Sequence, residues 1–147
     1  MKVVIQRCKC GSCTVDDKIV SKIDNGLVVL AGFNVNDTIE DINYIVKKIV
    51  NLRIFDDENG VMNKSVIDVN GEILSISQFT LQAITKDGNR PSYVNAMKGE
   101  DAIKLYELFN SKLNESVKTY PGVFGADMLI KIDNDGPITI VIDSQNK

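Results

Sequence analysis

The sequence contains no histidine. That absence removes the commonest general base and every Ser-His-Asp or Cys-His arrangement, so any hydrolysis by this chain must take another route. Positive charge is also in deficit: 17 Lys and Arg stand against 20 Asp and Glu, a net charge of -3. Gripping nucleic acid through a general basic field needs many cations against the phosphates, so this balance excludes that mode and leaves only a local grip. Positive charge gathers at Lys47, Lys48, Arg53, Lys64, Lys86 and Arg90, and a solvated helix face explains the first two equally well. Long apolar runs are missing too. The longest falls far short of the roughly 18 to 20 residues that span a bilayer, and the N-terminus opens on a strand pattern instead of a signal peptide. The expectation is a cytoplasmic protein with no membrane partner.

Cysteine is confined to Cys8-Lys9-Cys10-Gly11-Ser12-Cys13. The C-x-C-x-x-C spacing raises a metal reading, but zinc takes four ligands, and without histidine the set is incomplete unless a carboxylate or another subunit completes it. The competing reading is small apolar strand residues in a reducing compartment. We expect no metal and no cofactor.

What is present is ordinary for a globular chain. Hydrophobic content of 44% and charged content of 25% exclude a disordered protein. The 147 residues fit one domain, 1–147, and a chain of that size buries about 68 to 70% of its unfolded surface. Alternation over Val3 to Cys8 and Ile19 to Ile23, with Asp16-Asp17 between, predicts a β-hairpin. Gly26 to Phe33 is densely apolar, as expected of a strand buried on both faces. Asn36-Asp37-Thr38 supplies cap chemistry for an amphipathic helix from Thr38 to Leu52, with Ile42, Ile45, Val46 and Ile49 at helical spacing. A turn follows over Asp56 to Gly60. Val66 to Val69 leads to Asn70-Gly71, the strongest hairpin signal, and then to a strand over Glu72 to Phe79. Gln82 to Ser92 reads as an exposed loop. Gly99 to Val117 reads as a second helix burying Ala102, Tyr106, Phe109 and Leu113. Grouped strands with two separate helices indicate an α+β fold, its antiparallel or mixed sheets curled around or under the helices.

Two segments break the strand pattern with polar groups: Ser77-Gln78-Phe79-Thr80-Leu81 and Asn134-Asp135-Gly136-Pro137-Ile138-Thr139. Met128 to Ile132 and Ile138 to Ile142 read as two β runs, and Gly136-Pro137 between them cannot continue a ladder. One reading is a tight turn. The other is a backbone device, with a cis peptide, that aims carbonyl oxygens at a ligand. Ser77 and Thr80 are candidate nucleophiles without an activating partner in the sequence, and strand-end capping explains their hydroxyls as well. The backbone N–H groups of Phe79 and Thr80 offer a possible oxyanion hole.

These segments, with Met1 to Arg7, Lys48 to Phe55, Met62 to Val66, Arg90-Pro91-Ser92 and Gly122 to Met128, resemble the D-aminoacyl-tRNA deacylases, the D-tyrosyl-tRNA(Tyr) deacylase family. The resemblance runs nearly end to end. It implies a barrel-like homodimer that hydrolyses the ester joining a D-amino acid, or glycine wrongly placed on a tRNA, to the terminal adenosine. Its partner is the tRNA 3′ end and not DNA. It implies catalysis at Ser77, Gln78, Phe79 and Thr80, with the ribose 2′-OH assisting water and Thr80 and Ser77 orienting the substrate. It further implies chiral selection by a cis Gly136-Pro137 unit from the partner subunit, support of that unit by Arg7, and an adenosine pocket near Phe124 and Met128. Arg7 as a surface ion pair, and Phe124 and Met128 as plain core, are the competing readings. The family shows no metal cluster at the cysteines. Ile138 departs from the more usual valine, and Asp87-Gly88-Asn89 makes its loop less basic than is common. From other classes, a non-catalytic dimeric nucleic-acid-binding module and a small-molecule esterase remain open.

Overall fold

The computed structural model describes residues 1–146. Strand β1 (Lys2–Val15) organises the sheet: β8 (Leu129–Asp143) lies along one edge, while β3 (Gly26–Gly32) and then β2 (Lys18–Ile23) occupy the other. Two-residue hairpin geometry joins β1 to β2, because Asp16 and Asp17 both take left-handed φ, 47° and 61°. β3 pairs antiparallel with β1 and parallel with β6 (Glu72–Ser77), and β7 (Thr119–Pro121) pairs parallel with β6. The Ser21 hydroxyl donates to the Pro121 carbonyl, drawing β2 against β7 so that this mixed sheet nearly closes into a barrel.

Helix α1 (Ile39–Asn51) provides the crossover that a parallel β3–β6 pair requires. It starts where expected. The Asp41 carboxylate accepts from the Thr38 N–H at 2.9 Å and hydroxyl at 3.1 Å, satisfying donors that a helix start leaves open. Helix α2 (Gly99–Asn114) buries Ala102, Tyr106, Phe109 and Leu113, and it stops short of Val117. The core divides by strand alternation. Leu27, Val29 and Ala31 of β3 face the two helices, whereas Val28, with Leu74 and Ile76 of β6, fills the barrel interior.

Three local expectations are corrected. Asn70-Gly71 closes no hairpin. Val66 to Val69 form a helical turn, Gly71 N–H bonding back to Val66 O at 2.9 Å, and Asn70 ends it at φ 50°. Asn-Gly favours left-handed φ in either setting, so the dipeptide alone does not distinguish them. Strand β6 ends at Ser77, and Phe79–Gln82 coil into a 3₁₀ turn. Finally, the two runs flanking Gly136-Pro137 are one strand, β8, which absorbs the break as a bulge. Short β4 (Phe55–Asp56) and β5 (Met62–Lys64) form a separate hairpin.

The cysteine segment is a stretch of β1. Cys8 and Cys13 are fully buried in the barrel interior, and Cys10 points outward with its thiol 3.2 Å from Asp133 Oδ2. Burial pushes the Cys8 thiol up to about 11, so it stays neutral and unreactive near neutral pH. In the native protein at pH 8, DTNB is expected to leave Cys8 and Cys13 unmodified until denaturant is added. Rapid titration of all three thiols would contradict the burial of Cys8 and Cys13.

Candidate active site

The C-terminal ends of β3 and β6, the start of α2 and the loop before β8 enclose a cavity of about 510 Å³. Its size lies within the range of small-ligand sites. Ser77, Gln78 and Phe79 form one wall, and Phe124 and Met128 another. Most other lining groups are apolar, and Asp127 is the single ionisable side chain on the wall. Phe79 stands 56% exposed at the rim, edge-on to Tyr93 with ring centroids 5.1 Å apart. Phe124 rests against the Tyr106 ring, whose hydroxyl donates to Ser75 O at 2.8 Å. Burial raises the Tyr106 phenol, which keeps it a neutral hydrogen-bond donor.

The 3₁₀ turn is pinned from below. Gln78 N–H bonds Ala31 O at 2.7 Å, extending the β3–β6 ladder one step beyond Ser77. A Cβ at Gly32 would lie 2.7 Å from Gln78 O and 2.9 Å from Leu81 Cβ, so only glycine lets the turn sit this close to β3. Buried Gln82 completes the support, its amide donating to Gly32 O at 2.9 Å and its carbonyl oxygen accepting from Asn34 Nδ2 at 3.2 Å. Sequence reasoning placed Gln82 in an exposed loop; a polar residue whose partners lie about fifty positions upstream carries no local signal. Leu81 N–H makes the first bond of the turn, to Gln78 O, so those of Phe79 and Thr80 stand outside its own hydrogen bonding. The Thr80 hydroxyl accepts from the Gln78 side-chain amide.

The second segment lies elsewhere on the subunit. Gln6 faces Thr139 and Cys8 faces Asn134, so Arg7 alone opposes the bulge from Asp135 to Ile138. Proline is tolerated there because β8 is an edge strand that needs no N–H at that point. The Gly136–Pro137 peptide is cis, Gly136 has φ 116°, and both residues are exposed. Asn134, to which the sequence assigned only turn chemistry, clasps the bulge by donating to Arg7 O at 2.9 Å and Ile138 O at 3.0 Å.

Arg7 is buried and is no surface residue. Its Nη1 donates to Ile54 O at 2.8 Å, and its Nε lies 3.0 Å from Asp135 Oδ2 as an ion pair without hydrogen-bond geometry. Register places Arg7 opposite Leu27 and Ser77 opposite Ala31, four positions apart on β3. That is about 13 Å along the strands. Within one chain, therefore, Gly136-Pro137 and Arg7 do not join Ser77, Gln78, Phe79, Phe124 and Met128, and Thr80 lies next to the cavity without lining it.

A family model described as D-Tyr-tRNA(Tyr) deacylase matches residues 4–143. A D-aminoacyl-tRNA deacylase of Flavobacterium psychrophilum is 58% identical over 100% of this chain and 99% of its own length. One of Clostridium novyi is 51% identical with the same coverage. Among solved structures, the c-Myc DNA Unwinding Element Binding Protein is similar at 41% identity and TM-score 0.93, covering 97% of this chain and 98% of that one. A "probable eukaryotic D-amino acid tRNA deacylase" shares the fold at TM-score 0.82, covering 96% of this chain and 97% of that one, with 18% identity. With the match spanning nearly every element from β1 to β8, this chain belongs to the D-Tyr-tRNA(Tyr) deacylase family.

Proposed function

We propose that this chain is a single-domain cytoplasmic hydrolase that cleaves the ester of D-aminoacyl-tRNA, and of mischarged glycyl-tRNA, acting as a homodimer. The observation that carries the reading is the mostly apolar cavity ending in Ser77, Gln78 and Phe79, in a chain more than half identical to D-aminoacyl-tRNA deacylases. Water attacks the acyl carbon, the bond to the ribose oxygen breaks, and the water proton ends on that oxygen. The neighbouring ribose 2′-OH assists the water, and the N–H groups of Phe79 and Thr80 receive the developing oxyanion. Ser77, Gln78 and Thr80 orient the ester, while Phe124 and Met128 hold the adenosine. An activated ester needs less assistance than an amide, which makes a site without histidine chemically reasonable.

Gly136-Pro137 of a second subunit supplies the chiral wall: backbone oxygens admit the Cα hydrogen of a D-substrate and collide with an L side chain. Two features favour a dimer. The Gly-Pro bulge is exposed, and within its own subunit it is remote from the cavity. Arg7 keeps the bulge in place through Asp135.

A second reading, a nucleic-acid-binding module without catalysis, draws on the DNA-binding name of one structural relative. Purified protein incubated with D-Tyr-tRNA and L-Tyr-tRNA separates the two. Release of D-tyrosine with the L-ester spared is the expected result. Binding without release, or equal hydrolysis of both esters, would overturn the proposal.

A further inference from the structure

Phosphodiester charge finds no partner in the cavity, whose single ionisable wall residue is an aspartate. The RNA backbone leading to a bound 3′ terminus must therefore be neutralised elsewhere. A groove of about 590 Å³ at the C-terminal end of α1 is lined by Tyr44, Lys47, Lys48, Asn51, Leu52 and Arg53. It contains three cations and no carboxylate. Among the described residues no ion pair engages Lys47, Lys48 or Arg53, whereas the ion pairs that do form use the Met1 ammonium, Lys2, Arg7, Lys9, Lys64 and Lys104. In a chain of net charge -3 this is a local concentration of positive charge outside any ion pair, with Asp68 near enough for Arg53 to favour its ionisation.

Its construction suits a phosphate. Tyr44, Lys47, Lys48 and Asn51 are spaced at three and four residues, so they share one face of α1. Lys48 Nζ lies 5.7 Å from the Tyr44 ring centroid, and the Asn51 amide is held on Lys47 O at 2.8 Å. Arg53 is anchored by its Nε on Asn63 O at 3.1 Å. The helix end contributes about half a negative charge, which three cations outweigh.

Position adds the second argument. Arg53 precedes Ile54, whose carbonyl accepts from Arg7, and Arg7 is the residue opposite the Gly136-Pro137 bulge. The groove thus lies at the Gly-Pro end of its subunit. We infer that this groove binds backbone phosphates of the substrate tRNA, and that the subunit lending Gly136-Pro137 to a partner's cavity also holds the RNA entering that cavity. The inference rests on the hydrolase reading above.

The test compares two D-esters: D-Tyr-tRNA, and 2′(3′)-O-D-tyrosyl-adenosine, which carries no phosphate. The triple variant Lys47→Gln, Lys48→Gln, Arg53→Gln should raise KM for D-Tyr-tRNA at least tenfold and leave turnover of D-tyrosyl-adenosine unchanged. The slope of log(kcat/KM) against log[salt] for the tRNA should become shallower by about 2, the loss of two to three phosphate contacts. Lys47→Glu with Lys48→Glu, which keeps the Arg53 anchor, should reproduce the KM effect if it is electrostatic. Unchanged KM for the tRNA, an equal loss on both esters, or an unchanged salt slope would overturn the inference. If the wild-type protein hydrolyses neither ester, the hydrolase reading fails and takes the inference with it.

Discussion

Hydrolysis of a D-aminoacyl-tRNA whose terminal ribose carries hydrogen in place of the 2′-hydroxyl is expected to fall by about 10² to 10⁴, the usual worth of a positioned acid–base group. The expectation follows from what surrounds the ester. The chain has no histidine, and the cavity wall offers Asp127 as its only ionisable side chain. The Thr80 hydroxyl is occupied as acceptor for the Gln78 amide. Asp127 apart, no protein group on the wall can serve as a base, and we assign the role to the substrate's own hydroxyl. Thr80→Ala should in contrast cost only about fivefold, equivalent to one net hydrogen bond of about 1 kcal/mol. Single-turnover rates on matched ribo and 2′-deoxy substrates measure the first effect, and the Thr80 variant measures the second. Equal rates on the two substrates would end substrate assistance, and an acyl-Thr80 adduct detected by mass spectrometry would replace it with covalent catalysis.

Gly136→Ala is expected to lower D-Tyr-tRNA deacylation by at least about a hundredfold, the loss that a displacement of about 1 Å produces in a positioned site. Gly136 sits at φ 116°, a conformation that L side chains rarely adopt. An alanine Cβ would also lie 2.8 Å from Ile138 Cγ1 and 3.1 Å from Ile138 N. Both constraints are local to the bulge, so the bulge moves and any wall it forms moves with it. The fold should survive, because Gly136 and Pro137 are exposed on an edge strand and only Ile138 of the bulge packs against the core. Thermal melting checks the fold, and initial rates on D- and L-Tyr-tRNA check the site. A variant that keeps wild-type D-activity would show that this bulge is no part of the site.

Much of the architecture was legible because its causes are local. The Asp16-Asp17 hairpin, the start of α1 at Thr38, the doubly buried β3 and the four buried residues of α2 each depend on side-chain period or cap chemistry within a few positions. Features with distant partners were not legible. Asn70-Gly71 looked like a hairpin because its left-handed preference is real, while the strands that pair with β6 are β3, joined in parallel across the α1 crossover, and β7. Gln82 is buried because Asn34 and Gly32 O meet its amide. The two runs became one strand because β1 pairs with β8 on both sides of the bulge, in a shifted register, and Asn134 clasps its ends, through a contact to Arg7 at the other terminus of the chain.

The sequence by itself therefore determined the element types, the α+β class and, through the matching segments, the family. Periodicity, turn chemistry and residue identity are carried by neighbouring positions. The tertiary structure alone decided that Ser77, Gln78, Phe79, Phe124 and Met128 share one cavity while Gly136, Pro137 and Arg7 stand apart from it. Strand register and close packing fix distances between residues far apart in the chain, and those distances depend on how every element packs at once.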